Sequence, residues 1–417
     1  MDRVLDLHIH SRYSRACSPS LTLENIAASA RIKGISIIAT GDFTHPRWFL
    51  DIKNELVEIG TSGLYRLKSE PEAMVKFILS TEVALIYKDG GRARRLHLMV
   101  HAPNLEAVSK LNSILGQSYN IKSDGRPILG ISAPRFVRLC LDIDPHFLIY
   151  PAHIWTPWFS VFGSKSGFDS LEECFHEETD NIYAYETGLS SDPEMNWRLS
   201  ALDKLTCLSN SDAHSLANLG REANVMDLKT ETYQEIYEII RKKDMQKLRY
   251  TIEFYPEEGM YHFDGHRDCH FSCDPAISRQ NKKICPVCHK PLVLGVAYRI
   301  EELADRPSGF KPKKFVPFKK VVGLDKIIAE ALSVKSRSAK KVLAEYDNLT
   351  KHFGSEINIL LDLDLRRLEG QTDRRIIEGL RRSRAGDLII NPGFDGQYGE
   401  INIFSASERT TPQIKLF

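Results

Sequence analysis

The sequence contains no apolar run approaching the roughly 18 residues that a membrane span needs. Met1-Asp2-Arg3 leads straight into a strand-like stretch, with no apolar secretory leader. Both absences predict a soluble cytoplasmic protein with no membrane partner. There is no internal repeat and no extended low-complexity tract, which excludes solenoid, collagen-like and disordered classes. With 417 residues, 42% of them hydrophobic and 27% charged, the chain can bury a full core over two or three domains. An excess of either charge is also missing: 56 Lys+Arg against 55 Asp+Glu leave +1, which taken alone argues against a polyanionic partner. That average conceals a division. Residues 1–240 carry 24 basic and 31 acidic side chains, net −7, and residues 241–417 carry 32 and 24, net +8.

The cysteines divide in the same way. Cys17, Cys140, Cys174 and Cys207 are scattered as apolar fillers, whereas Cys269, Cys273, Cys285 and Cys288 cluster as a metal site would require. In the first 240 residues short apolar runs alternate with amphipathic segments, as expected when helices cross over between parallel strands. Seven strands are predicted, at 4–10, 35–40, 79–87, 96–101, 147–152, 182–186 and 205–210. Helices are predicted at 22–33, between Thr22 and Gly34, and at 104–115, capped by Asn104 and ended by Gly116. The fold class is therefore α/β, with a barrel over residues 1–245. A metal-binding module at 246–305 follows, then a basic linker and a small, mainly helical domain at 306–417.

In Asp6-Leu7-His8-Ile9-His10 two imidazoles leave the same face at a strand end, which is metal-ligand spacing. Further ligand types recur at later strand ends: Asp42 and His45, Glu82, His97 and His101, His153, Glu186, Asp212 and His214. In a parallel αβ barrel these ends converge on one rim. Imidazole and carboxylate without thiolate suit two or three divalent ions, Zn²⁺, Mn²⁺, Mg²⁺ or Fe²⁺. Such ions activate water and neutralise phosphoryl charge, so phosphoester hydrolysis needs no side-chain nucleophile. Cys207, Ser209 and Ser211 lie nearby without nucleophile-elbow spacing and are assigned to structure.

The order HxH, carboxylate, Glu, His, His and DxH resembles the polymerase-and-histidinol-phosphatase (PHP) superfamily of distorted seven-stranded barrels. Longer strings resemble its endonuclease Q family. They include His8-Ile9-His10-Ser11-Arg12-Tyr13-Ser14-Arg15, Thr40-Gly41-Asp42-Phe43-Thr44-His45-Pro46, Asp124-Gly125-Arg126-Pro127 and Pro151-Ala152-His153-Ile154-Trp155-Thr156-Pro157-Trp158. Two positions depart from the superfamily pattern. Gly41-Asp42 replaces Asp-His, so that Asp42 takes a histidine's place as ligand, and Arg15-Ala16-Cys17 stands where a third early histidine belongs. The resemblance implies a metal-dependent endodeoxyribonuclease that cuts 5′ to uracil, hypoxanthine, xanthine or an abasic site. The nucleoid, with a replication clamp or other repair proteins as partners, is the expected setting. Its catalytic set is His8, His10, Asp42, Glu82, His97, His153, Asp212 and His214, with His101 and Glu186 bridging ions or orienting ligands. Two alternatives stand beside it: a small-molecule PHP phosphoesterase and a DNA-binding scaffold with a decayed site.

Cys269-x3-Cys273-x11-Cys285-x2-Cys288 has zinc-ribbon spacing and predicts a structural Zn²⁺ on four thiolates, with His266 as the alternative ligand. Residues 306–320 hold six basic residues and no acidic one, with Phe310, Phe315 and Phe318 interleaved, as phosphate contact with base stacking would need. Arg12, Lys311, Lys313, Lys314, Lys319, Lys320, Arg381 and Arg382 are the expected DNA contacts. Trp155, Trp158 and Phe159 are expected to line a pocket for an extruded base.

Overall fold

The computed structural model describes residues 1–72 and 74–410. Its strands, in chain order, begin with β1 (Asp2–Asp6), β2 (Ile37–Ala39), β3 (Leu56–Glu58), β4 (Leu64–Leu67) and β5 (Lys76–Ile78). Next come β6 (Ser80–Asp89), β7 (Arg92–His101), β8 (Ile128–Leu129) and β9 (Leu148–Pro151), then β10 (Ala184–Glu186) and β11 (Thr206–Leu208). The series ends with β12 (Ala223–Asp227), β13 (Leu248–Glu253), β14 (Asp264–His266), β15 (Phe271–Cys273), β16 (Phe318–Lys320), β17 (Ile389–Asn391) and β18 (Glu400–Asn402).

The largest sheet has eight strands in the order β16-β13-β12-β1-β2-β5-β4-β3, a second has the order β8-β6-β7-β9, and β10 pairs with β11. Hydrogen bonds link these sheets around a shared interior. Phe43 N, just past β2, donates to Ser80 O of β6 at 3.2 Å, Ile154 N to Glu186 O at 3.1 Å, and Ser209 Oγ to Ile252 O at 2.8 Å. All seven predicted strand regions carry a strand, yet the pairing is mixed instead of all parallel. The β6–β7 hairpin explains part of this. Its turn, Asp89-Gly90-Gly91-Arg92, places both glycines at positive φ, 55° and 74°, and so folds the chain straight back. β12 likewise runs antiparallel to β1.

Helix Leu23–Lys33 starts where Thr22 accepts a hydrogen bond from Asn25 N and stops at Gly34, whose φ of 90° ends it. The helix begun by Asn104 instead passes through Gly116 and runs to Ser118, because the chain turns extended only at Tyr119. The basic stretch is not a free tether. β16 pairs with β13 in the main sheet, and Phe315 and Phe318 pack edge-on against Trp197, with ring centres 4.9 and 5.8 Å away. Both rings are half-buried in this contact.

One continuous apolar core runs from Leu5 to Phe404, and the cysteine module has its own small cluster of Cys273, Cys285 and Leu292. Helices Leu324–Ala331, Lys340–Phe353, Glu356–Leu361 and Arg374–Ala385 build the C-terminal part. A buried ion pair, Lys33 Nζ to Glu356 Oε2 at 2.7 Å, ties it to the first helix. Among the described residues no helix is long and apolar enough to cross a membrane.

Candidate metal centre

Strand β1 ends at Asp6, and Leu7 to His10 continue beyond it, held by Asn210 Oδ1 on Leu7 N and by a bridge between Ile9 and Ala213. His8 and His10 therefore sit past the ladder. Burial is complete for His8, His10, Asp42, Glu82, His101 and Glu186. A buried polar group must be paired, and the pairing converges on Glu82. Its Oε1 lies 2.8 Å from His97 Nδ1 and 3.0 Å from His153 Nε2, and its Oε2 lies 3.0 Å from Arg126 Nη1 and 3.4 Å from His10 Nε2.

Three donor groups result: His8, His10 and Glu82; Glu82, His97 and His153; and His10, Asp212 and His214. Ligand atoms around a first-row cation stand about 3 to 3.5 Å apart, given metal–ligand bonds near 2.1 Å. His97 Nδ1 and His153 Nε2 are 3.2 Å apart, and His10 Nε2 and Asp212 Oδ1 are 3.0 Å apart. His8 Nε2 is buried without a hydrogen-bond partner, 3.7 Å from Glu82 and 3.5 Å from Asp212. The residues therefore fit divalent cations, and the donor set is imidazole and carboxylate throughout.

The outer groups hold the rings. Nδ1 of His8 donates to Glu186, whose carboxylate also accepts from Asn210 Nδ2 at 2.8 Å and from His153 N at 3.1 Å. Nδ1 of His10 donates to Asp42 Oδ1 at 3.0 Å, and Asp42 Oδ2 accepts from Ser11 N, Ser11 Oγ and Ser14 Oγ. Asp42 was expected as a ligand in a histidine's place, yet it stands in none of the donor groups and instead orients His10. A β-carbon at Gly125 would collide with this carboxylate, so only glycine lets the Asp124–Arg126 turn close over it. His101 also stands apart. Its Nε2 meets Tyr150 Oη at 3.0 Å, and burial pushes its pKa down to about 3, as fits a neutral ring under the site.

Electrostatics follow from the packing. Burial opposes charge on His8 and His10, but the carboxylates around them win and raise both pKa values well above the ordinary range. Burial likewise opposes ionisation of Glu82 and Asp212, yet their cationic neighbours hold both below the usual carboxylate range. Asp42 (φ 48°), His153 (φ 30°) and Asp212 (φ 45°) all occupy left-handed backbone that non-glycine residues avoid. Strain is thus gathered at the site.

The remaining expected residues divide. Arg12 pairs with Asp51 at 2.9 Å, and Lys311, Lys313 and Lys314 are exposed. Lys319 reaches Asp362, whereas Lys320 is largely buried on Asp192 at 2.6 Å. Arg381 binds Glu378, and Arg382 spans Glu378 and Glu408, staying inside the C-terminal part. Trp155 is core, with Nε1 on Asn196 Oδ1 and its ring against Phe162, so it lines no base pocket. Phe159 packs on His97, and Trp158 is exposed at a 310 Å³ pocket with Leu189, Gly259, Tyr261 and His262.

In the cysteine module His266, Cys269, Cys285 and Cys288 bring their ligand atoms within 4.8 Å of one another, and Cys273 is not among them. His266 faces Phe271 at one end of the β14–β15 hairpin and Cys273 faces Asp264 at the other, where it packs against Cys285 and Leu292.

Arg126, Asn210, Ser11, Ser14 and Arg221, which donates to the backbone of Ser211 and Asp212, were not foreseen as site residues. The signal for them is weak, since each is a common polar residue in a loop. Ser11, Ser14 and Arg126 lie within the strings that carry the family resemblance.

The family profile described as the MJ0043 C-terminal domain matches residues 323–387. The MJ0043 protein of Methanocaldococcus jannaschii is 30% identical over 255 residues, 60% of this chain, and the chain spans 31% of that protein's length. The crystal structure of the lesion-specific endonuclease PfuEndoQ from Pyrococcus furiosus superposes with TM-score 0.84 and 32% identity, over 96% of this chain and 95% of that one. An endonuclease Q complex with a 27-mer duplex carrying an abasic lesion at its active site matches equally well, with TM-score 0.84, 31% identity and complete coverage of both chains. Agreement at this level along the whole chain, with imidazole and carboxylate groups gathered into one buried cluster, establishes that the chain belongs to the endonuclease Q family.

Proposed function

We propose that this protein is a metal-dependent DNA repair endonuclease that hydrolyses the phosphodiester 5′ to a deaminated base (uracil, hypoxanthine or xanthine) or an abasic site. The observation that carries the reading is Glu82, one carboxylate faced from opposite sides by His10 and by the His97–His153 pair. Such a group can join two ion sites. His8, His10, Glu82, His97, His153, Asp212 and His214 would hold two or three divalent ions. Bound there, the ions supply a water of lowered pKa and neutralise phosphoryl charge.

The chain's own residues do the rest. Glu186 and Asp42 fix the His8 and His10 rings so that both Nε2 atoms face inward. Arg126 balances Glu82 and keeps about a quarter of its side chain exposed toward an incoming phosphate (26%). The hydrogen bonds that join the sheets around a shared interior support a distorted seven-stranded barrel as the scaffold. His266, Cys269, Cys285 and Cys288 would hold a structural Zn²⁺ that stabilises the module without chemistry. Exposed Lys311, Lys313 and Lys314 suit the phosphate backbone, and a lesion base suits the pocket beside Trp158. On this reading the protein would work in the cytoplasm, at the nucleoid.

The test is a 5′-labelled duplex with a single deoxyuridine, deoxyinosine or abasic site, incubated with Mg²⁺, Mn²⁺ or Zn²⁺. The expected result is a nick on the 5′ side of the lesion, absent from the unmodified duplex and lost in H8A and D212A. Nicking without lesion dependence, or wild-type rates in those variants, would overturn the reading.

A further inference from the structure

The segment Asn391-Pro392-Gly393-Phe394-Asp395-Gly396-Gln397-Tyr398-Gly399 joins β17 to β18 and has no role in the chemistry above. Its backbone is clamped along its length. Gly393 N donates to Glu257 O at 2.8 Å, Gly396 N to Met260 O at 3.0 Å and Gly399 N to Glu258 O at 3.1 Å, and Phe394 and Gln397 exchange backbone hydrogen bonds. β-carbons at Gly393 or Gly399 would collide with the backbone carbonyls of Gly259 and Glu257, so glycine is what lets the two segments lie so close.

From this fixed loop Tyr398 projects 75% exposed. Among the described residues only Tyr398 and Trp158 are exposed Phe, Tyr or Trp side chains. Tyr398 lines the mouth of a 510 Å³ cleft whose wall includes Asp212, His214 and Arg221, and Arg337 adds a positive charge there. That cleft and the pocket under Trp158 share Leu189 and Gly259 as a wall. An aromatic ring held in water on a rigid backbone contributes little to folding, and its ordering cost is already met when a flat apolar partner arrives. Beside a site for a phosphodiester, that partner is the face of a nucleobase.

We propose that Tyr398 enters the duplex next to the lesion and stacks in the space left when the lesion nucleotide turns out toward the metal centre. The inference rests on the lesion-endonuclease reading above. It makes Tyr398 a positioning residue that opens the duplex and leaves bond cleavage to the metal site.

The experiment compares wild type, Y398A and Y398F on two 5′-labelled duplexes carrying the same deoxyinosine, one fully paired around it and one with the lesion inside a three-nucleotide mismatched bubble. Y398A should nick the paired duplex on the order of ten-fold more slowly and the bubble at nearly the wild-type rate, while Y398F stays near wild type on both, because the ring does the stacking. With Ca²⁺ in place of the activating metal, 2-aminopurine beside the lesion should brighten on binding wild type and much less on binding Y398A. Equal rates of Y398A and wild type on the paired duplex, or an equal loss on both duplexes, would overturn the inference. Absence of lesion-dependent nicking by wild type would instead overturn the endonuclease reading itself.

Discussion

Nδ1 of His8 lies 3.1 Å from each carboxylate oxygen of Glu186, so that ring has one orientation and its free Nε2 faces Glu82 and Asp212. The same carboxylate accepts from Asn210 Nδ2 and from His153 N, which couples two candidate ligand histidines through one group.

E186Q keeps the shape but removes the charge that favours the His8 Nδ1–H tautomer. Groups behind metal-bound histidines carry about 10- to 100-fold in metal affinity or activity. The expected outcome is a loss of that size in Mn²⁺ affinity by titration calorimetry, with far-ultraviolet circular dichroism unchanged. Full affinity would show that Glu186 does not act through His8.

C273S and H266A separate the two candidate fourth ligands of the cysteine module. Since His266 joins Cys269, Cys285 and Cys288, C273S should retain one zinc per chain by elemental analysis, while H266A should lose it or hold it weakly. Because Cys273 is buried against Cys285 and Leu292, C273S should still lower the melting temperature by a few degrees, as an uncompensated core change of about 1 kcal/mol does. Loss of zinc in C273S with full zinc in H266A would restore the four-thiolate site.

These two cases show where the sequence was legible. The ligand types at strand ends were readable because burial makes an unpaired His or Asp costly, so such residues persist there only with partners. Strand positions followed from apolar runs in the same way. Which polar residue binds and which orients was not readable. Asp42 and Glu82 are both buried carboxylates, one just past β2 and one inside β6, and only the positive φ at Asp42, with Ser11 and Ser14 pressed against it, turns it toward His10 Nδ1. The choice between Cys273 and His266 depended on the facing of a three-residue hairpin, below the reach of spacing. Strand direction differs from the parallel expectation where the Gly90-Gly91 turn reverses the chain, a local effect that apolar alternation does not register.

Glu253 predicts a pH dependence away from the metals. Burial pushes its carboxyl up to about 8, against hydrogen bonds from Thr251 and Thr187, and buried Glu222 is raised as well. A folded-state pKa above the unfolded value means that the folded form binds the extra proton. That stabilisation is complete below about 4.5 and is lost as pH rises toward 8. Wild type should therefore lose thermal stability between pH 5 and 8, and E253Q, neutral throughout, should flatten the slope. Identical slopes in a melting-temperature series would remove Glu253 as the cause.

The last prediction concerns the basic segment, where equal charges have unequal surroundings. Lys311, Lys313 and Lys314 are exposed, whereas Lys320 is mostly buried on Asp192 and over the Tyr255 ring. A phosphate contact releases counterions, so each lost contact reduces the slope of log affinity against log salt by about 0.9. The triple variant K311A/K313A/K314A should weaken binding to any duplex and lower that slope by about two to three, with an unchanged melting temperature. K320A should do the reverse. It leaves Asp192 buried without its cation, with only the Met195 N–H still on its carboxylate, which costs up to about 3 kcal/mol of stability, while the salt slope stays at the wild-type value. Fluorescence anisotropy at four salt concentrations, paired with thermal melts, distinguishes them. A reduced salt slope in K320A would assign that lysine to DNA, and an unchanged slope in the triple variant would remove this face from the interface.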